Sequence, residues 1–273
     1  MTETWQHGDV TLYCADCLEV LPTLEAGSVD MILTSPPYDD LRLYKGYVFD
    51  FERIANELAR IIKPGGVIVW IVGDSTDDTG ETGTSFRQCL YFKSLGLRLH
   101  DTMIYMKAGP AYPSHDKYYQ IFEYMFVLSK GRPSTFNPIK DRENRWYGLK
   151  WSKIRTRRMK NGDLKVQDWY KEEGNKTGVR FNIWQYVTGF GYHGDELAHQ
   201  HPASFPEDLA YDHIMSWSNP GDLILDPLMG SCTTGKMAVT NGRRFIGVDI
   251  AQEYFDLAKK RISDAQLQIR MPL

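Results

Sequence analysis

The longest apolar runs of the chain, such as VIVWIV and MFVL, fall far short of the roughly 20 residues that cross a bilayer. The opening stretch MTETWQHGDV also lacks the basic region followed by an apolar one that marks a signal peptide. These two absences argue against a membrane partner, and a cytoplasmic protein is the expectation. Cysteine is scarce, with Cys14, Cys17, Cys89 and Cys232 the four among 273 residues. Cys14 and Cys17 form a C-x-x-C, but no second such pair and no His pair accompanies it, so half of a zinc site is missing. Because Cys14 lies in the apolar run VTLYCAD, the pair reads as buried small residues, and no metal is expected. Internal repeats and low-complexity tracts are likewise missing.

What is present is the composition of a folded protein, 42% hydrophobic and 25% charged, at a length near the upper limit of one core. The net charge of −3 hides an asymmetry: from Lys130 to Arg180 there are 15 Lys or Arg against 6 Asp or Glu, a local balance of +9. Its centre, WSKIRTRRMK, gathers Lys153, Arg155, Arg157, Arg158 and Lys160, with Trp146, Tyr147, Trp151, Trp169 and Tyr170 nearby. A charge run is commonly a solvated face. Interleaved aromatics and a local reversal of sign favour a surface that binds a polyanion.

Strand-like runs followed by helical patterns recur along the chain: VTLYCAD then CLEVLPTLEAG, VDMILTS then FERIANELARII, VIVWIVGD then SFRQCLYFKSLG, DLILDPL then TTGKMAVTNG, RFIGVDI then QEYFDLAKKRI. Continuous apolar strands alternating with helices predict a doubly wound α/β fold with a mostly parallel sheet covered on both faces. DTMIYMK and IFEYMFVLS lack an intervening helix and predict an antiparallel pair at the sheet edge. KPGG at 63–66 and NPGD at 219–222 read as helix ends before strands. From about Pro133 to Gln200 the periodicity dissolves, which suggests an inserted recognition module.

Two stretches carry the chemistry. TSPPY, Thr34 to Tyr38, sets two prolines behind the strand-like VDMIL. Proline fixes φ and restrains the residue before it, so Ser35 to Pro37 must be extended and stiff, with carbonyls held in set directions. Such a stop reads either as a plain strand exit or as a ledge built to hold something. The second stretch, LILDPLMGSCTTGKMAV, ends a strand at Asp226, turns on glycine and enters a helix at Thr233 and Thr234, which aims backbone N–H groups at the strand's carboxyl end. Asp249 ends the next strand, FIGVD, where a carboxylate can take both hydroxyls of a ribose. Asp249 and Asp16 are also in positions to cap helices.

TSPPY, DPLMGSCTT and IGVDI resemble motifs IV, I and II of the S-adenosylmethionine-dependent DNA amino-methyltransferases, in the order of the β group, and HPASFPEDL at 201–209 is similar to motif X. The resemblance implies a circularly permuted class I methyltransferase fold with a seven-stranded sheet. Residues 1–132 would be the catalytic half, 133–198 the target-recognition insertion and 199–273 the cofactor-binding half. It implies S-adenosyl-L-methionine as cofactor and double-stranded DNA as partner, and it allows a cognate restriction endonuclease and a homodimer. Asp226 and Gly230 would contact the cofactor's amino-acid part, Asp249 its ribose and Asp16 its adenine amino group, with Phe205, Pro227, Ser231, Thr233 and Ile250 completing the set. The family usually has Gly where this chain has Cys232; a positive φ there would cost a cysteine on the order of 1 kcal/mol.

An exocyclic base amine is a poor nucleophile because its lone pair is delocalised into the ring. If the Ser35 hydroxyl and the Pro36 carbonyl accept hydrogen bonds from the amine, its lone pair localises and can point at a sulfonium methyl. Pro37 helps to hold those acceptors fixed, and fixed dipoles need no reorganisation. Tyr38 offers a stacking face for a base removed from its helix. No cysteine follows proline, so the covalent route to cytosine C5 is not indicated. Within the resemblance, serine at the first motif position points to cytosine N4. Adenine N6 is the alternative, an RNA base or glutamine acceptor a second, and a nucleic-acid-binding module without catalysis a third.

Overall fold

The computed structural model describes residues 3–37, 49–77, 80–107, 109, 118–145, 147, 151–171, 175–187 and 205–270; the side chains of 151–155, 166–171 and 269–270 lie outside that description. The chain divides into two compact units, Met1–Asn137 with Asn182–Leu273, and Pro138–Phe181.

The larger unit is built on one sheet. Its strands are β1 (Glu3–His7), β2 (Val10–Cys14), β3 (Val29–Thr34), β4 (Ile62–Val72), β5 (Arg98–Lys107) and β6 (Phe122–Ser129). The smaller unit contributes β7 (Trp151–Arg158) and β8 (Leu164–Lys171), which pair only with each other among the described residues. The main sheet then gains β9 (Ile183–Tyr186), β10 (Leu223–Asp226) and β11 (Arg244–Asp249). The order across the sheet is β1-β2-β11-β10-β3-β4-β6-β5-β9. Pairings from β2 to β4 are parallel, and only β1 and β6 run against their neighbours.

This doubly wound α/β sheet has nine strands where the resemblance implied seven. The inner seven run from β2 to β5, and one strand is added at each edge. At one side Gly8, at φ 58°, turns β1 back onto β2. At the other, β9 pairs in parallel with β5 from Ile183↔Ile104 to Tyr186↔Lys107. The antiparallel pair β5–β6 is therefore present, but it is not the edge. Unequal burial explains the difference in legibility: β9 alternates exposed and buried over four residues, whereas VIVWIV in β4 is buried throughout.

Helices cover the sheet. In α2 (Phe51–Ile61) Asp50 caps the first turn by accepting from the Arg53 N–H at 3.2 Å, and Ile54, Ala55, Leu58 and Ile61 bury one stripe. α3 (Thr84–Ser94) packs Phe92 against Trp70, ring centroids 5.1 Å apart, and Gln88 accepts the Trp70 indole N–H at 2.8 Å. No linker separates α2 from β4: the strand begins at Ile62, and its pairing with β3 jumps from Val29↔Ile62 to Met31↔Val67. KPGG is thus a bulge within the strand's run. A Cβ on Gly66 would lie 2.8 Å from the Ile62 side chain and 2.9 Å from the Asp30 carbonyl, so only glycine fits. Two more covering helices, α4 (Glu207–Trp217) and α5 (Thr233–Thr240), and the long α6 (Gln252–Arg270) complete the unit.

In the smaller unit β7 and β8 form an antiparallel ribbon in full register from Trp151↔Lys171 to Arg158↔Leu164. Its tip closes with the Met159 N–H on the Asp163 carbonyl at 2.8 Å and the Gly162 N–H on the Met159 carbonyl at 3.0 Å. Gly162 sits at φ 90°. Arg180 pairs with Asp141 at 2.9 Å from Nε, and the Arg142 guanidinium lies 4.7 Å over the Phe181 ring. Periodicity had dissolved here because the few apolar residues of WSKIRTRR and LKVQDWYK fall on both faces and set up no apolar alternation; Asn161-Gly162 marks the turn between them. Among the described residues, no helix is long and apolar enough to cross a membrane.

Candidate active site

Four adjacent parallel strands, β2, β11, β10 and β3, end at the same edge of the sheet. In that order their carboxyl ends carry Asp16, Asp249, Asp226 and Ser35 to Pro37. Three strand spacings span about 14 Å, the scale of an extended nucleoside joined to an amino acid. This edge also holds Pro227, Gly230, Ser231 and Thr233, all buried in the turn from β10 into α5. Ile250 follows Asp249 and is 52% exposed, and Phe205 is half-buried just before α4. Pro36 is buried between the half-buried Ser35 and Pro37. Tyr38 lies outside the described residues, as does His201.

Asp226 joins the two motif loops. Its Oδ1 accepts the Thr34 hydroxyl at 2.7 Å and the Leu228 N–H at 3.2 Å, and its Oδ2 accepts the Thr234 hydroxyl at 2.8 Å. Thr34 ends β3 directly before Ser35, so one buried carboxylate ties the proline ledge to the glycine turn. With both oxygens engaged inward, Asp226 shapes the loop from beneath. Burial pushes its carboxyl up to about 6 against the hydrogen bonds that favour the anion. A group whose pKa is higher folded than unfolded lends stability that is full below about pH 4 and is lost as pH rises through about 6. The parent protein should therefore lose more stability between about pH 4 and pH 7.5 than Asp226→Asn does, by about 3 kcal/mol for a two-unit shift. Urea midpoints at the two pH values measure this, and equal losses would contradict the assignment.

Asp249 is half-buried, and desolvation lifts it to about 6 as well. Its Oδ2 accepts the Gly230 N–H at 2.9 Å and its Oδ1 the Ala251 N–H at 2.8 Å. A carboxylate offers about four acceptor positions, so two further hydrogen bonds from a diol can be taken. Asp16 caps α1 (Cys17–Val20), with the Leu18 N–H on Oδ1 at 2.8 Å. The cap made by Asp16 and the turn bonds accepted by Asp249 are compatible with ligand contact, because a carboxylate can accept about four hydrogen bonds.

Cys232 is the one non-glycine residue at positive φ among the described residues, at φ 62° and ψ 37°. The strain anticipated at this departure from glycine is present. The thiol is fully buried, and burial pushes it up to about 12, so it stays protonated and unreactive. Cys14, Cys17 and Cys89 are buried free thiols too.

Sequence reasoning missed the support beneath the turn. Arg261 of α6, 1% exposed, donates from Nη1 to the Ser231 carbonyl and from Nη2 to Glu207 Oε1 at 2.7 Å. Glu207 opens α4, and Lys236 of α5 reaches the same oxygen at 2.8 Å. Three helices are thus clamped around the glycine turn. The available signal was position: Arg261 falls three residues after Ala258 and beside Ile262, on the buried stripe. The basic residues expected to meet DNA lie in the smaller unit. Arg157 and Arg158 end β7 and Lys160 is in the tip, all exposed, while the side chains of Lys153 and Arg155 lie outside the described residues.

A parallel sheet with a glycine turn, an acid-ended neighbouring strand and a proline ledge along one edge defines a methyltransferase of the class I architecture. The chain belongs to the DNA methylase family of N6/N4 type, whose model matches residues 29–260, and it is an S-adenosylmethionine-dependent DNA methyltransferase. It is 54% identical to the orphan methyltransferase M.BamHII of Bacillus amyloliquefaciens over 87% of this chain and 89% of that protein. The DNA adenine methyltransferase YhdJ of Escherichia coli K12 is 28% identical over 93% of this chain and 83% of its own length. Among solved structures, the cytosine-N4-specific PvuII DNA methyltransferase superposes with a TM-score of 0.67 at 19% identity, over 95% of this chain and 92% of that one.

Proposed function

We propose that this enzyme methylates the exocyclic N4 amine of a cytosine turned out of double-stranded DNA. The observation that carries the reading is the ledge Ser35-Pro36-Pro37 at the end of the buried β3, tied by Thr34 and Asp226 to the glycine turn. When bound, S-adenosyl-L-methionine supplies an electrophilic methyl group on a sulfonium. Asp249 holds the ribose hydroxyls, Asp16 the adenine amine, and the backbone of 227–231 the amino-acid end, with Phe205, Thr233 and Ile250 around them. The Ser35 hydroxyl and the Pro36 carbonyl accept the two amine hydrogens of the target base. That pulls the nitrogen towards tetrahedral geometry and frees its lone pair, while Pro37 keeps both acceptors aimed. A methylated amine loses its extra proton readily, so no strong base is required. Tyr38 stacks on the extruded base.

We assign residues 1–132 and 199–273 to the two halves of the catalytic domain and 133–198 to target recognition, with Ile183–Tyr186 of that span returning to the catalytic sheet as its edge strand. Within the latter, Lys153, Arg155, Arg157, Arg158 and Lys160 supply phosphate contacts. Serine, a neutral partner for a small pyrimidine, favours cytosine. The likeness to an adenine methyltransferase at 28% identity keeps adenine N6 as the second reading. Mapping modified bases in DNA from cells that express the protein tests both. N4-methylcytosine at one recurrent sequence is expected, N6-methyladenine would replace the first reading by the second, and unmodified DNA would overturn both.

A further inference from the structure

The register of the β7–β8 ribbon sorts its residues by face. Residues directly opposite across an antiparallel pair share a face, and successive residues alternate. Because Arg157 pairs with Lys165 and Lys153 with Trp169, the odd-numbered positions form one face and the even-numbered positions the other. The odd face holds five cations, at 153, 155, 157, 165 and 171, and no acid. At the even positions Arg158 is offset by Asp168, and the other six, Ser152, Ile154, Thr156, Leu164, Val166 and Tyr170, are uncharged. Net charge is therefore +5 on one face and zero on the other. Arg157 and Lys165 stand directly opposite and are both exposed. Like charges so placed repel each other, and an anion between them removes the penalty.

We propose that the odd face of this ribbon is the surface that reads duplex DNA, entering the major groove. The inference rests on the DNA substrate above and adds which face binds and which residue specifies. A two-stranded ribbon fits a major groove about 12 Å wide, and eight residues per strand reach about 27 Å along it. At the middle of the face Gln167 lies opposite Arg155, between the cations at 157 and 165 on one side and Lys153 on the other. Glutamine can make a bidentate contact to adenine N6 and N7, and arginine to guanine O6 and N7. The 155/167 pair is assigned base readout, and the flanking cations are assigned phosphates. Arg158, grouped with the others on composition, belongs to the opposite face.

Salt titrations of binding to a mixed-sequence duplex, with modified-base mapping in cells, test the assignment. Lys165→Ala should lower the salt slope by about one, and the double variant Lys165→Ala/Val166→Lys, with net charge restored on the even face, should stay equally low. Val166→Lys alone should leave the slope unchanged. Gln167→Ala should keep the slope and relax the mapped sequence at one base pair by about ten- to a hundredfold. Recovery of the slope in the double variant, or an unaltered consensus in Gln167→Ala, overturns the inference. S-adenosylmethionine binding by calorimetry verifies the larger unit in each variant, and an unchanged far-ultraviolet circular dichroism spectrum verifies the ribbon. If the parent modifies DNA and the variants match it, only the ribbon assignment fails. If the parent neither binds nor modifies DNA, the substrate reading falls with it.

Discussion

Ser35→Ala is expected to slow single-turnover methyl transfer by about a hundred- to a thousandfold while leaving cofactor affinity within about twofold. Ser35 follows Thr34, whose hydroxyl is fixed on Asp226, and Pro36 is buried, so the substitution removes one acceptor without freeing the backbone. The amine then keeps only the Pro36 carbonyl, and its lone pair stays partly in the ring. Adding Tyr38→Ala should lower the rate further and weaken target binding, because base–aromatic stacking contributes about 1–3 kcal/mol. Single-turnover rates with saturating donor and duplex separate these effects from product release. A parent-like rate in the double variant would show that the ledge does not activate the amine.

Glu207→Ala is expected to destabilise the protein by about 3 kcal/mol and to weaken cofactor binding as well. Arg261 is fully buried, and Glu207 is its anion at 2.7 Å. Removing the carboxylate leaves a buried guanidinium beside the Lys236 ammonium, two cations that had shared one oxygen. Their repulsion should splay α4, α5 and α6 and release the Ser231 carbonyl from Arg261. Glu207→Gln keeps an oxygen acceptor and should lose less on both counts. Urea midpoints and calorimetry on the two variants provide the comparison. An alanine variant that loses stability yet binds cofactor at the parent's affinity would separate the clamp from the site.

The parts of this molecule legible in the sequence are those whose signals are local. VIVWIV had to be a central strand because nothing polar interrupts it, and the stiffness of Ser35 to Pro37 follows from proline chemistry alone. The acid at the end of each of two successive strands was visible 23 residues apart, at Asp226 and Asp249. What stayed hidden depends on partners distant in the chain. Thr34 gains its role from Asp226, 192 residues later, and no local pattern announces that bond. Arg261 sits in KKRI, where three cations look alike until the helix is turned against α4 and α5. β7 and β8 escaped because their alternation is one of charge and not of hydrophobicity. The strain at Cys232 was foreseeable only by comparison with a family that has glycine there, and the left-handed backbone bears it out.

If a proline-held ledge aims an exocyclic amine of DNA at the methyl group of S-adenosylmethionine, that amine must carry the transferred methyl. The most direct test supplies the purified protein with a donor carrying a deuterated methyl group and duplex DNA, then digests the DNA to nucleosides for mass analysis. The label is predicted on the N4 nitrogen of deoxycytidine. Label on cytosine C5, or no label in any base, would contradict the account.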